Sequence, residues 1–191
     1  MFGPNGPKRL CDVITGDETW IPFYGIPNKR SNMAWVGLDQ ARPAVLRPSF
    51  RSRKRPFSIF FNTQGSVTVD ILPEKLTSTA SYYAGTILPK VIGSVFEQRS
   101  TVGTSRTMLL YENASAHTAK VTVTYLEEQS VQVLPHPPYG QDWSPSDFWL
   151  FPRVKRISSG ETFSCTRDLP KAVKSELDTI PLLVYHITFA Y

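Results

Sequence analysis

The sequence has few cysteines and no long apolar run, and both features narrow the classes of protein it can encode. Only two of its 191 residues are cysteines, Cys11 and Cys165, and they lie far apart and match neither a disulfide framework nor a zinc pattern. We therefore expect a reduced, intracellular compartment. No stretch approaches the roughly 18 apolar residues of a membrane span, and the N-terminus MFGPNGPKRL lacks the apolar core of a signal peptide. A membrane partner is not expected.

Acidic residues are also scarce relative to basic ones. The 16 aspartates and glutamates are outnumbered by 21 lysines and arginines, which gives a formal net charge of +5. This excess makes acidic partners, above all nucleic acid, the first class to consider. Hydrophobic residues make up 41% of the chain, as is typical of one globular domain. Sixteen prolines predict short, often interrupted helices and strands.

Runs of β-branched and aromatic residues between turn signals predict the strands of a central sheet. We predict strands at 12–24, 57–62, 67–72, 106–111 and 131–138. The second and third of these, FSIFFN and VTVDIL, flank the turn-like TQGS and should form a hairpin. With the helices predicted below, these strands indicate a mixed α/β domain.

Helical spacing of apolar residues predicts helices at 77–99, 145–156 and 168–180. Pro89 should kink or break the first of them, because proline cannot donate the backbone hydrogen bond of a helix interior. Residues 118–129 contain both a strand-like VTVT and a helix-like YLEEQ, so the local pattern alone leaves their structure open.

Three acidic residues occupy places where predicted elements begin or end. Asp17 lies within the first strand, Glu112 follows the strand at 106–111, and Asp147 lies at the start of a helix. Carboxylates that converge from separate helices and strands can hold the two metal ions of a phosphoryl-transfer site. A solvated surface charge is the default for each residue by itself. Since neighbouring strand side chains point to opposite faces, Asp17 and Glu18 are not expected to share a site.

Several short strings occur in the order and at the spacing found in mariner-type DNA transposases. They are TGDETW (15–20), ENASAHTA (112–119), LPHPPY (134–139) and SPSDFWLFP (144–152), with further agreement in SNMAWVG (31–37), FFNTQG (60–65) and LEEQSVQVLPHPPY (126–139). From about Asp12 to Pro181, the sequence therefore resembles the catalytic domain of that family.

The resemblance implies a ribonuclease-H-like fold, in which helices flank a mixed central sheet and a basic clamp-like arm is inserted after the first strand. It also implies that residues 118–129 are helical. The catalytic domain is then expected at 12–181, with its arm at 26–56. A leader at 1–11 that is not a full DNA-binding domain would precede it, and an atypical tail at 182–191 would follow it.

The resemblance further implies that Asp17, Glu112 and Asp147 bind two magnesium or manganese ions. Enzymes of this family cut DNA at transposon ends and join the freed 3′ ends to a target. Double-stranded DNA is therefore the expected partner, with a second copy of the chain as a further candidate. The nucleus is the expected location.

Two departures from the family pattern bear on activity. Glu112 follows Tyr111, where the family has an aspartate that usually follows a histidine, and the extra methylene moves the carboxylate by roughly 1.5 Å, whereas metal sites tolerate about 0.2 Å. The family's PYSPDLAPSD reads PYGQDWSPSD here. We therefore expect impaired cleavage. The alternatives are a DNA-binding or protein-interaction module without catalysis, and a decayed gene product without function.

The arm is rich in cations, with four in the five residues 51–55. By resemblance, we predict that they contact DNA phosphates, which position a protein without reading the bases. The predicted contacts are Arg42, Arg47, Arg51, Arg53, Lys54 and Arg55. A solvated loop is the alternative from composition alone.

The other histidines and tryptophans near these motifs have simpler predicted roles. His117 is predicted to tie the turn after Glu112 together by a hydrogen bond, with a supporting role beside the metal site as the alternative. Trp35 is predicted to pack, with stacking as the alternative, and Trp143 and Trp149, which flank Asp147, are predicted to pack in the core or at its rim.

Overall fold

A computed structural model of the protein describes residues 10–23, 35–37, 39–40, 54–73, 79–99, 106–137, 140–158, 163 and 168–190. Four of the six predicted DNA contacts lie outside these residues, as does most of the predicted arm; they are Arg42, Arg47, Arg51 and Arg53. No helix in the described part of the chain is long and apolar enough to cross a membrane.

A mixed sheet forms the centre of the molecule. Its five strands in the described residues are β1 (Val13–Pro22), β2 (Lys54–Asn62), β3 (Gly65–Ile71), β4 (Met108–Leu110) and β5 (Gln132–Val133), in the order β3-β2-β1-β4-β5. Strand β2 is antiparallel to β1 and β3, whereas β4 and β5 run parallel to β1. The predicted α/β class with a mixed central sheet is confirmed.

The predicted hairpin is confirmed as β2 and β3, but β2 begins earlier than expected. Lys54 pairs with Pro22 at the far end of β1, so residues 54–56, which we had assigned to the arm, belong to the strand. Between the two strands, Gly65 has a φ of 116°, which a glycine adopts without strain. The Asn62 side chain accepts a 2.7 Å hydrogen bond from the Gln64 amide and closes the turn.

Helices cover both faces of the sheet. They are α1 (Ala80–Tyr82), α2 (Leu88–Gln98), α3 (Ser115–Thr118), α4 (Lys120–Glu128), α5 (Phe151–Lys155), α6 (Asp168–Thr179) and α7 (Leu182–Thr188), with π-helical segments at Tyr83–Ile87 and Ser146–Leu150 and 3-10 turns at Gln141–Trp143 and Arg156–Ser158. The three predicted helices correspond to α1–α2, α5 with its preceding π segment, and α6.

Pro89 does not break its helix, contrary to one of the two outcomes we expected. A π-helical segment precedes it instead, and the Leu88 amide donates to the Tyr83 carbonyl five residues back. The same arrangement precedes Pro152, where the Phe151 amide donates to the Ser146 carbonyl. A wider turn before each proline keeps the helix continuous although the proline nitrogen cannot donate.

Residues 120–128 are helical, as the family resemblance implies. Thr122 and Leu126, four residues apart, are both buried, and the Thr122 hydroxyl donates a 2.7 Å hydrogen bond to the Ala116 carbonyl. Packing of this face therefore overrides the local strand preference of VTVT.

Alternating side chains of β2 supply two hydrophobic cores, one on each face of the sheet. Phe57, Ile59 and Phe61 belong to the first core, which is completed by α5, α6 and α7. Phe60 belongs to the second core, under helices α2 and α4. Because β4 is short, β1 extends past it and leaves one strand edge uncovered near Asp17.

Candidate metal centre

Three carboxylates from distant parts of the chain meet at the end of β4. One oxygen each of Asp17, Glu112 and Asp147 lies within 4.8 Å of the others. The parallel pairing of β1 with β4 explains the first two positions: Leu110 is opposite Thr15, so Glu112, two residues later, is level with Asp17. All three residues predicted as metal ligands are therefore brought together.

Asp147 reaches the cluster from the first turn of the π segment Ser146–Leu150. Its amide donates a 2.9 Å hydrogen bond to the Ser144 carbonyl, which fixes the start of the helix. Its Oδ2 atom is buried and has no hydrogen-bond partner among the described residues. A buried carboxylate oxygen without a donor is unfavourable unless a cation or a water molecule binds it.

Glycine is required next to Asp17. A Cβ added at Gly16 would lie 2.2 Å from the ring of Phe60, which is fully buried and pairs with Gly16 across the sheet. The β1 backbone thus presses directly on an aromatic ring of the second core, and this contact fixes the strand that carries Asp17.

Burial and neighbouring charges raise the pKa of two carboxyl groups of the cluster, Asp17 and Glu112. Burial, together with the charge of Glu18, raises the pKa of Asp17 to about 8. Burial also raises the pKa of Glu112, and the neighbouring Asp147 adds to the effect by its charge and by a hydrogen bond. Concentrated negative charge that is unfavourable in itself is typical of a site built to receive a cation.

Glu18 lies beside the cluster, and our expectation that it could not share a site with Asp17 is wrong. Oxygens of Asp17 and Glu18 and a ring nitrogen of His117 all lie within 4.8 Å of one another. The alternation of side chains holds inside a sheet, but at this point β1 has run past the end of β4. Both carboxylates can therefore reach around the uncovered strand edge.

His117 connects β1 with the segment that follows β4. Its Nδ1 lies 3.0 Å from the Glu112 carbonyl oxygen, and its Nε2 lies 3.3 Å from a Glu18 carboxylate oxygen. The predicted hydrogen bond that ties the turn together is thus confirmed. Burial lowers the pKa of His117, but hydrogen bonding and the charge of Glu18 outweigh burial and raise it overall. The sequence analysis did not place Glu18 at the site, although its position next to Asp17 in TGDETW could have indicated it.

A second contact holds the loop before Asp147 against the turn after Glu112. The Asn113 side-chain amide donates a 2.8 Å hydrogen bond to the His136 carbonyl. The His136 ring lies near Glu112, whose pKa its charge would lower, although burial dominates. These contacts fix the positions of Glu112 and Asp147 relative to each other, although the two residues lie on separate segments.

The tryptophans only partly follow our prediction. Trp149 packs against Phe61 with ring centroids 5.6 Å apart, as expected. Trp143 is 72% exposed, so it does not lie in the core, and Trp35 is fully exposed, so the prediction that Trp35 packs is wrong. Sequence alone could not separate these cases, because exposure is set by which chain segments cover each ring.

Two of the predicted DNA contacts, Lys54 and Arg55, lie within the described residues. Lys54 is exposed, and its ammonium group lies 4.7 Å from the ring centroid of Trp20 on the neighbouring strand. Arg55 is half-buried. Lys54 is therefore the better placed of the two for contact with a phosphate.

The donor set of the cluster fits a hard divalent cation. Carboxylate oxygens are the ligands that magnesium and manganese prefer, and three of them leave positions for water and a substrate phosphate. The buried, unpartnered Oδ2 of Asp147 supports the same assignment. The acidic cluster thus fits the use of divalent metal.

Known proteins similar to this chain share both its sequence pattern and its fold. No family model matches the sequence. The Mariner Mos1 transposase of Drosophila mauritiana is 29% identical over 174 residues, which are 88% of this chain and 47% of that protein. The chain is thus similar in sequence to a mariner-type transposase. The human Histone-lysine N-methyltransferase SETMAR is 26% identical over 170 residues, or 89% of this chain and 24% of that protein.

Solved structures of the Mos1 transposase confirm the predicted ribonuclease-H-like fold. The pre-cleavage Mos1 transpososome superposes with a TM-score of 0.84 at 23% identity and covers 95% of this chain and 52% of that one. The isolated Mos1 catalytic domain gives a TM-score of 0.73 at 20% identity, over 95% of this chain and 76% of that one. The resemblance to a mariner-type transposase catalytic domain is thus confirmed. The chain spans about half of the Mos1 transposase and about a quarter of SETMAR.

Proposed function

We propose that this catalytic domain cuts DNA strands at transposon ends and joins the freed 3′ ends to target DNA. The observation that carries the proposal is the convergence of Asp17, Glu112 and Asp147 within 4.8 Å. The relationship to the Mos1 transposase supports the same reaction class. That enzyme has been solved both as a pre-cleavage transpososome and as a strand transfer complex.

Magnesium or manganese is the proposed cofactor, with two ions in the active state, held by Asp17, Glu112 and Asp147. Paired-end complexes of the Mos1 transposase have been solved with each of these metals. When bound, such ions supply Lewis acidity, which activates an attacking oxygen and stabilises the leaving oxygen of a phosphodiester.

The residues themselves contribute position and charge. Unoccupied carboxylates repel a DNA phosphate, so Asp17, Glu112 and Asp147 favour phosphate approach only when cations neutralise them. Asp17, whose pKa burial raises to about 8, must give up its proton to serve as a ligand. The paired strands under Asp17 and the helix start under Asp147 hold both groups in place before substrate arrives.

We propose that Glu112 lowers the cleavage rate below that of an aspartate at the same position. Its longer side chain still brings a carboxylate oxygen within 4.8 Å of Asp17 and Asp147. The extra methylene displaces that carboxylate by more than the few tenths of an ångström that a metal site tolerates. The alternative, a module that binds DNA without cutting it, would share the fold and the cations but give no product.

The proposed partner is double-stranded DNA, both as transposon ends and as target, which implies action in the nucleus. The Mos1 transposase has been solved in a paired-end complex with the left transposon end. In this chain, the net charge of +5 and the exposed Lys54 support contact with phosphates. A second copy of the chain is a further proposed partner, as in other assemblies that hold two DNA ends.

Calorimetric titration of Mn²⁺ into the protein, followed by nicking of supercoiled plasmid, tests the proposal. We expect Mn²⁺ binding that is lost in Asp17→Asn and Asp147→Asn, and Mn²⁺-dependent nicking that is lost in the same variants. Wild-type protein that binds no Mn²⁺ would refute the metal site. Protein that binds Mn²⁺ and plasmid but forms no nicks would favour the non-catalytic alternative.

Raltegravir offers a second probe, because the Mos1 catalytic domain has been solved with this compound and either Mn or Mg. We expect the compound to bind this protein when Mn²⁺ is present and not after chelation. Binding that is independent of metal would count against a shared site geometry.

A further inference from the structure

One buried side chain spans the site from β1 to the turn after β4. His117 is 1% exposed and contacts both the backbone of Glu112 and the carboxylate of Glu18, at 3.0 Å and 3.3 Å. Glu18 directly follows Asp17 in β1. The ring thus joins the backbone of one proposed ligand to the immediate neighbour of another, without belonging to the three-carboxylate cluster itself.

The direction of the first hydrogen bond is fixed by chemistry. A carbonyl oxygen can only accept, so Nδ1 of His117 carries a proton and donates it to Glu112. A carboxylate also accepts, so Nε2 donates to Glu18 when the ring is protonated. The protonated ring therefore donates one hydrogen bond to the Glu112 backbone and one to the Glu18 side chain.

Packing holds the ring in this orientation. The rings of Tyr83 and Tyr111 lie 4.3 Å and 5.0 Å from the His117 ring, centroid to centroid. The Tyr111 hydroxyl also donates to the His117 carbonyl at 3.4 Å. Because the imidazole cannot rotate freely between these aromatic neighbours, it can transmit a fixed position to the atoms it contacts.

We propose that His117 is a positioning residue that sets the metal affinity of the site through the backbone of Glu112. The inference rests on the proposed function, since it assigns His117 a task at the same centre. Glu112 lies two residues beyond the end of β4 and has no strand partner among the described residues, so contacts from neighbouring side chains fix its backbone. Metal sites commonly lose affinity when a side chain that orients a ligand is removed.

Two substitutions separate the two ends of the ring. In His117→Asn, the amide nitrogen falls near the place of Nδ1 and can still donate to the Glu112 carbonyl. In His117→Gln, the amide nitrogen falls near the place of Nε2, so the contact with Glu18 remains and the contact with Glu112 is lost. Both variants are neutral, uncharged amides, so they differ mainly in which contact they keep.

Calorimetric titration of Mn²⁺ into wild type and both variants tests the proposal. We expect His117→Gln to weaken Mn²⁺ binding by about 10- to 100-fold, and His117→Asn to recover most of that loss. Val173→Ala, a truncation in the other hydrophobic core, controls for lost stability and should leave the affinity unchanged. Equal affinity of His117→Gln and wild type, or equal losses in the two His117 variants, would overturn the proposal.

A measurement on the wild-type protein covers the case in which His117→Gln does not fold. In protein labelled with ¹⁵N-histidine, a slowly exchanging Nδ1–H signal from His117 should be present both without metal and with Mg²⁺. Absence of that signal would overturn the proposed contact. Wild-type protein that binds no metal would instead refute the proposed function, so the two failures are distinguishable.

Discussion

A carboxylate oxygen of Glu112 and one of Asp147 lie within 4.8 Å of each other, across the gap between the turn after β4 and the π segment. Two carboxylates this close repel each other unless a proton or a cation neutralises one of them. Burial and the charge of Asp147 accordingly raise the pKa of Glu112. A bound cation would neutralise this pair.

Cation binding should release protons from this cluster. Asp17, with a pKa of about 8, is mostly protonated at neutral pH and must ionise to bind a metal. We expect Mn²⁺ affinity to rise about tenfold per pH unit between pH 6 and 7 for each proton released. Calorimetry in two buffers of different ionisation enthalpy would count the protons. No buffer dependence would show that the carboxylates are already ionised.

Without metal, the stability of the protein should fall as the pH rises. The pKa of Asp17 is about 8 in the folded state, against an ordinary value of 3.8, so the folded protein retains a proton that the unfolded chain releases. The favourable contribution is complete below about pH 4 and is lost as the pH rises through about 8.

Asp17→Asn should remove this dependence, because the amide resembles the protonated acid. At pH 8 in chelator, we expect the variant to be more stable than wild type by several kcal/mol, with the difference shrinking toward pH 4. Urea unfolding at several pH values would measure it, with Asp70→Asn, outside the cluster, as the control. A difference that does not change with pH would contradict the assigned pKa.

Sequence patterns could predict those elements that local chemistry determines. VTVDIL alternates in the way that a hairpin strand requires, and Leu169, Val173 and Leu177 are the buried face of the predicted helix. The three carboxylates could be proposed only through family resemblance, since single acidic residues carry no mark of convergence. We excluded Glu18 because neighbouring side chains alternate between the two faces of a sheet. Only the structure shows that β1 has run past the end of β4 at this residue.

Glu112→Asp should increase catalysis if the longer side chain is what impairs it. The shorter side chain moves the carboxylate by roughly 1.5 Å relative to Asp17 and Asp147, to the length that the family has at this position. We expect plasmid nicking to rise by at least about tenfold in Mn²⁺, because a ligand displaced by more than a few tenths of an ångström weakens a metal site. Glu112→Gln, which keeps the length but loses the charge, should be inactive. If Glu112→Asp shows no gain, the loop before Asp147 becomes the better explanation for low activity.

Gly16→Ala should destabilise the protein because the added methyl group would collide with a neighbouring ring, and not because alanine restricts the backbone. The new methyl group would lie 2.2 Å from the Phe60 ring, which is fully buried and cannot move aside easily. We expect a loss of about 1–3 kcal/mol in the free energy of unfolding. Gly93→Ala, in helix α2 where an added Cβ meets nothing within 4 Å, is the matched control and should be neutral or slightly stabilising. Phe60→Leu should partly rescue Gly16→Ala, and the absence of any rescue would place the strain elsewhere.

Lys54→Ala should weaken DNA binding without affecting the metal site. Lys54 lies over the ring of Trp20, three residues along β1 from Asp17, and its ammonium group is exposed to solvent. If it contacts one phosphate, its loss should lower the slope of log affinity against log salt by about 0.9 for duplex DNA. Fluorescence anisotropy of a labelled duplex over a range of salt concentrations measures this slope. Lys90→Ala removes the same charge from a lysine that is paired with Asp70 at 2.8 Å, and it should leave the slope unchanged. Equal changes in the two variants would mean that net charge, and not a contact at Lys54, governs DNA binding by this part of the chain.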